Sequence, residues 1–459
     1  MIKKRITKII WLCIVLLCAS FVSAQEKSTA KKISMEEAVK LAIENNLSLQ
    51  SQAITTNTKK RAADHAWNKF VPSLSLTGSY TADNKAATTS GFAVTDLGLM
   101  PYTVDLSKNH IAGQVQVQLP INFAMFEAIN SLKNDYQNGV ITYDKAKAQL
   151  EQTVRKLYYD ILFYEVQLNF LKESYNNAKA QEDSAAASFR AGRSPELSWL
   201  QAQVTTKNME PSINQLNNSI KLVKGQLAMN LGLPITSDIQ LEPSENNDIF
   251  IPLDVSNLIQ KASQNKPDIL EVKQQLLTLK SQRKATLYQR WTPNLSLSWN
   301  SQSVFKLDPF KDDLGTEDNW NNTGGFTIAL SWTPTSLLPF GVDTQGIKDI
   351  DDNIQKLNIG LAQSVQATEL EIYSKVYELE QIRASIEAQR ATIQLAQRSY
   401  NDTFTAYRNG SQNYQQVQDA NIQLQNSRLN LTQQYNQYIK GLIDLEYSIG
   451  VPFGTLSSK

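Results

Sequence analysis

The stretch Gln-Val-Gln-Val-Gln-Leu at residues 114–119 alternates polar and apolar side chains at every position. A period of two residues is typical of a β-strand, whose successive side chains point to opposite faces of the sheet. Three other stretches alternate in the same way, and the sequence therefore predicts strands at residues 73–80, 111–119, 294–300 and 326–332. Short strands with one apolar and one polar face are typical of a transmembrane β-barrel.

The alternation divides the side chains of the predicted strands into a lipid-facing set and a set that faces a polar interior. The predicted lipid-facing residues are Leu74, Leu76, Val115, Val117, Leu295, Leu297, Phe326, Ile328 and Leu330. The predicted interior residues are Gln114, Gln116, Gln118, Ser296, Ser298 and Thr327. Aromatic residues near the strand ends fit an interfacial girdle, namely Tyr80, Trp299 and Trp332. We expect the polar segments 81–110 and 301–325 to be extracellular loops.

The first residues have the pattern of a secretory signal peptide over residues 1–24. Basic residues precede an apolar run, and Val22–Ala24 fits a cleavage site. A membrane anchor is the alternative, although the run is short for a span. Lipid attachment at Cys18 is disfavoured because Leu17 is larger than the small residue expected before such a cysteine. Since Cys13 also lies in this segment, the exported chain would need no thiol chemistry.

Charge and hydropathy narrow the class of protein. The formal net charge is +1, and removal of the four basic residues of the predicted signal leaves 41 basic and 44 acidic residues. This balance lacks the basic excess that a nucleic-acid-binding protein needs. Beyond the signal, no apolar run is long enough for a transmembrane helix. A membrane-embedded form would therefore have to be a barrel.

The second half of the sequence repeats the order of the first. Residues 189–234 align without a gap on residues 407–452, so that Leu-Gly-Leu-Pro meets Ile-Gly-Val-Pro. Val-Pro-Ser-Leu-Ser-Leu at 71–76 likewise aligns on Thr-Pro-Asn-Leu-Ser-Leu at 292–297. The spacing is far longer than that of a solenoid repeat. We predict an internal duplication, with repeats at 25–235 and 253–452, a linker at 236–252 and a C-terminal tail at 453–459.

Each predicted repeat contains one helix, two strands and two further helices. A proline ends the first helix of each repeat, Pro72 or Pro293, because proline has no N–H for the helix hydrogen bond. Gly232 and Gly450 suit the left-handed position that often ends a helix, and a proline follows two residues later. The predicted helices span 34–70, 123–189 and 195–231 in the first repeat, and 255–291, 346–407 and 412–449 in the second.

The long predicted helices carry apolar residues at intervals of three and four. The series are Leu150, Val154, Leu157, Ile161, Tyr164 and Leu168, and then Ile372, Val376, Leu379, Ile386, Ile393 and Ala396. A period of 3.5 residues is typical of coiled-coil packing. A helix of about 65 residues would be roughly 100 Å long, which is more than a globular domain needs. We interpret these stripes as structural.

The number of predicted strands indicates that several copies of the chain assemble. Single-chain bacterial barrels begin at eight strands, and an open sheet edge is not tolerated in lipid. Four strands per chain therefore cannot close a barrel, and two or more copies must pool their strands.

With these elements in place, the chain resembles the outer membrane efflux protein (TolC-like) family. The resemblance rests on Ser-Met-Glu-Glu-Ala-Val-Lys-Leu-Ala-Ile-Glu-Asn-Asn at 34–46, the two helix-to-strand motifs, the two Arg-x-Gly tips and the two Leu-Gly-Leu-Pro-like ends. It implies a mainly α fold with a membrane β-barrel, in which a homotrimer closes twelve strands and long coiled-coil helices form a periplasmic tunnel. It further implies an outer-membrane duct without enzymatic activity or cofactor, coupled through an adaptor to an inner-membrane pump.

The resemblance also implies a periplasmic gate and adaptor-docking tips. Tyr407 and Asp419 match the gate pattern of the family, whereas Gln412, Gln416 and Ser198 stand where the family has an arginine and two aspartates. The gate would therefore have fewer ionic links, and a ring of Asp419 carboxylates would favour cations. The implied tip residues are Arg190, Gly192, Arg193, Arg408 and Gly410.

Two other classes of function are weaker interpretations. A soluble periplasmic coiled-coil adaptor would explain the heptads but not four amphipathic strands or the duplication. A hydrolase would need a constellation such as Gly-x-Ser-x-Gly, a P-loop or His-Glu-x-x-His, and none occurs. The histidines, His65 and His110, are isolated and predict no metal site. The exported substrate is not indicated.

Overall fold

The computed structural model describes residues 32–85, 87–95, 98–243, 250, 252–409 and 411–456. The predicted signal peptide, Gly410, part of the predicted linker and the last three residues of the predicted tail lie outside the described residues. The chain divides into two compact units. The first comprises Leu150–Phe250 and Ile382–Lys440 with the segment that ends at Asn46, and the second comprises Leu47–Gln149, Ile251–Gln381 and Gly441–Lys459.

Two helices of 67 residues each dominate the described chain, and each is about 100 Å long. Their buried residues include predicted heptad positions, Val154, Ile161, Leu168, Ile372, Val376, Leu379, Ile386 and Ala396. The helices are, in chain order, α1 (Met35–Asn45), α2 (Leu47–Asp64), α3 (Ala124–Arg190), α4 (Glu196–Asn230), α5 (Val255–Asn265), α6 (Pro267–Trp291), α7 (Val342–Arg408) and α8 (Tyr414–Ile449).

The prediction of single helices at 34–70 and 255–291 is wrong, because each is divided near its start. Asn46 separates α1 from α2, and Lys266 separates α5 from α6, both with extended backbone. At the second break, Pro267 cannot donate a helix hydrogen bond and disfavours helical geometry in Lys266. At the first, the Asn46 side chain donates to the carbonyl of Asn230 at 3.2 Å. The first predicted helix also ends in a 3₁₀ turn at Ala66–Phe70.

A glycine packs against each of these breaks. Gly232 and Gly450 have φ of 70° and 73°, and each ends its helix with the paired hydrogen bonds of a Schellman motif. A Cβ at Gly232 would lie 2.6 Å from the carbonyl oxygen of Asn45, and one at Gly450 would lie 2.5 Å from that of Asn265. Only glycine therefore fits at either position without a shift of the backbone.

Four long strands form one antiparallel sheet in the second unit, in the order β2-β5-β7-β8. Ten or more residues of each strand pair with a neighbour. A two-stranded parallel sheet, β1-β6, and a hairpin, β3-β4, complete the strands of the described residues. The strands are β1 (Lys32–Ile33), β2 (Ser73–Ala82), β3 (Ala87–Thr95), β4 (Gly98–Leu106), β5 (Asn109–Ile121), β6 (Gln240–Leu241), β7 (Asn294–Phe305) and β8 (Trp320–Ser331).

The expectation that segments 81–110 and 301–325 are loops is wrong for much of their length. The first contains β3 and β4, and the second contains the C-terminal end of β7 and the N-terminal end of β8. Backbone pairing does not depend on side-chain polarity, so these strands continue through polar residues that show no alternation. Pro101 lies within β4, where a two-stranded ladder has a free edge that tolerates proline.

The core of the first unit packs α1, α3 and α4 around the small β1-β6 sheet. Ala38, Val154, Ile161 and Leu227 are among its fully buried residues. Tyr158 ties the sheet to α3, because its hydroxyl donates to the carbonyl of Glu242 at 2.8 Å and lies 3.0 Å from that of Ile33. Burial raises the pKa of Tyr158 to about 12.

We expect Tyr158→Phe to lower the free energy of unfolding by about 1–2 kcal/mol, because it removes the buried hydroxyl that donates to the carbonyl of Glu242. Chemical unfolding in detergent measures this loss, with Tyr143→Phe on the same helix as control. The raised pKa adds a pH dependence. The native state favours the neutral phenol, so the stabilisation is complete below pH 10 and is lost as the pH rises towards 12. If Tyr158→Phe lost as much stability between pH 10 and pH 12 as the wild type does, this pH dependence would not come from the Tyr158 phenol.

Candidate functional site: the two-faced sheet and the helix turns

The register of the four-stranded sheet collects the apolar side chains of all strands on one face. Leu74 pairs with Val117, Val117 with Trp299, and Trp299 with Phe326. Directly paired residues lie on the same side of an antiparallel sheet, so each such row is a continuous apolar strip. The residues of this apolar face are Leu74, Leu76, Tyr80, Ile111, Val115, Val117, Leu119, Leu295, Leu297, Trp299, Phe326, Ile328 and Leu330.

The opposite face of the same sheet is polar. Its rows are built from the same register, for example Ser73 with Gln118 and Gln118 with Ser298. The face presents hydroxyl and amide groups from all four strands, with few charged side chains. Its residues include Ser73, Ser75, Thr77, Ser79, Gln114, Gln116, Gln118, Ser296, Ser298, Asn300, Thr323 and Thr327.

The two edges of this sheet, β2 and β8, have a partner strand on one side only among the described residues. Their apolar residues are strongly exposed, with Leu74 at 65% and Leu330 at 70%. The corresponding residues of the inner strands, such as Val115 and Leu297, are half-buried. Both edges therefore present backbone N–H and C=O groups and apolar side chains that lack a neighbour within the described chain.

The turn between α3 and α4 is a second candidate site. Gly192 has φ of 69°, and the amides of Gly192 and Arg193 bond to the carbonyls of Phe189 and Ser188, which again makes a Schellman motif. The ring of Phe189 stacks on that of Trp199 at 5.8 Å. The side chains of Arg190, Arg193 and Ser198 are exposed.

Ser194, two residues before α4, does not cap that helix. Pro195 occupies the N-cap position with extended backbone, and its carbonyl accepts from the amide of Ser198. The hydroxyl oxygen of Ser194 is buried and has no hydrogen-bond partner among the described residues.

The turn between α7 and α8 holds most of the predicted gate residues. Asn413 and Gln416 form a reciprocal capping box, in which each side-chain oxygen accepts from the other residue's amide at 3.0 Å. Gln416 is thus engaged in starting α8, a role that the Asn-x-x-Gln pattern could have indicated. Asp419 is exposed and accepts from Gln415 Nε2 at 3.0 Å. Gln412, Arg408 and Tyr407 are exposed, with Tyr407 at 40%.

The structure brings Ser198 and the start of α8 together at one cavity of about 550 Å³ within the first unit. Its walls come from α3, α4 and α8, and every lining side chain is uncharged. Besides Ser198, the lining includes Gln181, Gln201, Thr205, Gln415, Gln418, Asn421 and Gln425.

The described residues contain neither a candidate metal site nor a helix that could cross a membrane. No group of histidine, cysteine, aspartate and glutamate side chains there is arranged to hold a metal ion. No helix in the described part of the chain is long and apolar enough to cross a membrane.

The sequence model of the family described as outer membrane efflux protein matches residues 38–233. This match confirms the predicted resemblance to that family, whose members are channels and not enzymes. The match supports the interpretation of this chain as an efflux channel that lies in the outer membrane and extends into the periplasm. A comparison with curated protein sequences found no match.

Solved structures of outer-membrane channels share the fold across almost the whole chain. The CmeC channel of Campylobacter jejuni superposes with a TM-score of 0.72 at 16% identity, covering 94% of this chain and 90% of that one. VceC of Vibrio cholerae gives 0.68 at 15%, with 91% and 96% covered. The open state of MtrE from Neisseria gonorrhoeae gives 0.68 at 13%, with 91% and 89% covered. At these identities the likeness shows the fold alone.

Proposed function

We propose that this chain is the outer-membrane exit duct of a tripartite efflux or type I secretion system. In this proposal three copies close one twelve-stranded barrel, and their helices continue as a periplasmic tunnel. The duct is passive and has no catalytic group or cofactor. An inner-membrane pump drives transport and is coupled to the duct through a periplasmic adaptor.

The observation that carries the proposal is a four-stranded sheet with an apolar face and two edges that have no partner strand in the described part of the chain. In hydrocarbon each unsatisfied backbone group costs several kcal/mol, so an open sheet cannot remain in the membrane. Three copies supply twelve strands, within the range of bacterial barrels. The apolar face would then meet lipid, and the polar face would line a lumen of hydroxyl and amide groups suited to varied cargo.

Internal duplication accounts for several paired features and is part of the proposal. Helix breaks follow Asn45 and Asn265, and a positive-φ glycine packs against each break. The capped turns after α3 and α7 are a further pair. Two copies of one ancestral unit would place six similar hairpins around a trimeric barrel.

In the proposed assembly the α3–α4 and α7–α8 turns are the adaptor-docking tips. Arg190, Arg193 and Arg408 are exposed there and available to a partner. Gly192 gives the first tip its reversal, and Gly410, outside the described residues, has the equivalent position in the second.

For the gate, we expect Asp419→Asn to weaken the block of single-channel current by divalent cations by roughly tenfold. Three carboxylates crowded in a trimer would attract such ions, and the substitution removes all three charges. Asp419→Glu, which keeps the charge, should retain the block. Equal block in the wild type and in Asp419→Asn would exclude this residue from the ion path.

Membrane fractionation followed by bilayer recording tests the proposed function. We expect the protein to require detergent for extraction from the outer membrane and then to produce stepwise conductance in a planar bilayer. Recovery from the soluble periplasmic fraction would favour the alternative, a coiled-coil adaptor. The apolar face of the sheet argues against that alternative, because a soluble protein rarely exposes so continuous an apolar surface.

A further inference from the structure

We propose that a basic pocket between α6 and α3 is a binding site for a phosphate group. The pocket has a volume of about 280 Å³ and lies within the second unit. This inference goes beyond the proposed function and does not depend on it, because a single chain builds the whole site. The pocket is lined by Asn134, Leu277, Lys280, Ser281, Arg283 and Lys284.

Three cationic side chains meet at this pocket from little more than one turn of α6. Lys284 follows Lys280 by four residues, and Arg283 follows it by three, and both spacings place side chains next to each other on a helix. Like charges at these spacings destabilise a helix. An anion bound among the three cations would remove this repulsion.

A single carboxylate offsets part of the positive charge. Arg283 donates to both carboxylate oxygens of Asp351, from Nε and, at 3.1 Å, from Nη2. Lys280 and Lys284 are exposed, and neither forms an ion pair within the part of the chain that the structure describes. Three cations and one carboxylate leave two positive charges uncompensated. A phosphate monoester carries nearly two negative charges at pH 7 and would balance them.

Ser281 adds a neutral donor to the pocket. Asn134 Nδ2 donates to Ser281 Oγ at 3.1 Å, and a serine hydroxyl can still donate its own proton while it accepts. The backbone carbonyl of Asn134 accepts from Gln274 Nε2 at 3.0 Å, which holds α3 against α6 beside the pocket. The hydroxyl is therefore held in place before any ligand arrives.

These groups suit a phosphate better than a carboxylate. A carboxylate is bound best by the planar fork of an arginine, and Asp351 already occupies the fork of Arg283. Lysine ammonium groups bind phosphate as point charges and do not need a planar partner. The oxygens of a phosphate can accept from Lys280, Lys284 and the Ser281 hydroxyl together.

The position of the pocket along α6 favours a soluble phosphate over a lipid headgroup. Lys284 and Lys280 precede the helix end at Trp291 by seven and eleven residues, or about 10–17 Å along the axis. The four-stranded sheet begins beyond that end, with β7 at Asn294. Helical side chains lean towards the N-terminus of their helix, so both lysines lean away from the sheet.

Isothermal titration calorimetry with inorganic phosphate, at low ionic strength and with the detergent-purified full chain, tests the site. We expect Lys280→Gln combined with Lys284→Gln to weaken phosphate binding by roughly tenfold or more, because both uncompensated charges are lost. Lys280→Arg combined with Lys284→Arg should retain binding. The matched control is Lys261→Gln combined with Lys356→Gln, which removes two exposed lysines outside the pocket and should bind like the wild type.

A second variant keeps every charge in place. Ser281→Ala removes only the hydroxyl and should weaken phosphate binding severalfold, while circular dichroism shows the same helix content as the wild type. Equal phosphate binding by the wild type, by Ser281→Ala and by Lys280→Gln with Lys284→Gln would overturn the proposal. The heat would then come from anions distributed over the whole surface.

A lipid measurement distinguishes the source of the phosphate. Native mass spectrometry of protein reconstituted with phosphatidylglycerol counts the lipids that remain bound. We expect the wild type and Lys280→Gln with Lys284→Gln to retain the same number. Fewer lipids on the variant, without binding of inorganic phosphate to the wild type, would keep the phosphate site and assign it to a headgroup. Equal lipid retention without binding of inorganic phosphate would overturn the site.

Discussion

Gly450→Ala is expected to lower the free energy of unfolding by about 3 kcal/mol or more. The backbone at Gly450 has φ of 73°, a left-handed conformation that costs a residue with a Cβ about 1–2 kcal/mol. The added Cβ would also lie 2.5 Å from the carbonyl oxygen of Asn265, and its neighbours there are backbone atoms that cannot rotate away. Such overpacking costs about 1–3 kcal/mol more. Chemical unfolding in detergent, followed by far-ultraviolet circular dichroism, measures the total.

Alanine substitutions at two other glycines distinguish the cost of the backbone conformation from the cost of steric overlap. Gly192 has nearly the same φ, 69°, but a Cβ there meets no atom within 4 Å, so Gly192→Ala should show only the conformational cost. Gly360 lies inside α7 with open space around it, and Gly360→Ala should stabilise the helix by about 1 kcal/mol. If Gly450→Ala cost no more than Gly192→Ala, the close packing of α8 against the α5–α6 break would be wrong.

The second large effect is expected at the ion pair of Lys266 and Glu371. Lys266 is only 8% exposed, and its ammonium donates to Glu371 Oε2 at 2.7 Å and to Thr368 Oγ1 at 3.2 Å. Ser448 Oγ donates to the other carboxylate oxygen at 2.6 Å. We expect Glu371→Ala to destabilise the fold by about 2–3 kcal/mol, because it leaves a buried ammonium without its counter-charge, although the Glu371 side chain is 38% exposed and the pair is partly screened by water.

A double substitution tests that explanation. Lys266→Met combined with Glu371→Leu removes both charges and should cost clearly less than Glu371→Ala alone. Glu387→Ala breaks an exposed pair with Arg383 and should cost less than about 1 kcal/mol. If the double variant lost as much free energy of unfolding as Glu371→Ala, the ion pair would stabilise the fold through its own attraction. The buried charge left by the single substitution would then not explain the loss.

The same pair makes an acid-dependent contribution. Burial alone would raise the pKa of Glu371, but hydrogen bonds from Lys266 and Ser448 outweigh it and hold the pKa below 4.5. A carboxylate whose pKa is lower in the native state stabilises the fold fully above its unfolded pKa and loses that contribution as the pH falls. The difference in stability between the wild type and Glu371→Gln should therefore narrow below about pH 4.5.

Periodic features were predictable from the sequence, because a period reports which face is buried. The alternation around Val115 and the heptads around Val154 and Ile386 correspond to an amphipathic strand and to buried helix seams. The breaks that divide the predicted helices were harder to predict. Lys266 precedes a proline, but its apolar neighbours continue a helical pattern across it, and Asn46 depends on a contact with Asn230 on another helix.

Other features could not be read from a pattern. Strands β3 and β4 mix polar and apolar residues without a regular period, so no sequence pattern indicated their pairing. The Lys266–Glu371 pair joins residues far apart in the chain and leaves no trace in local composition. The gate prediction came from resemblance at matched positions, and it did not anticipate that Gln416 would cap α8 with Asn413.

The mass of the detergent-purified protein, measured by light scattering with correction for bound detergent, tests most directly whether free strands from separate chains complete one barrel. We expect a single species of three chains. A stable single chain that remains in solution without detergent would contradict it.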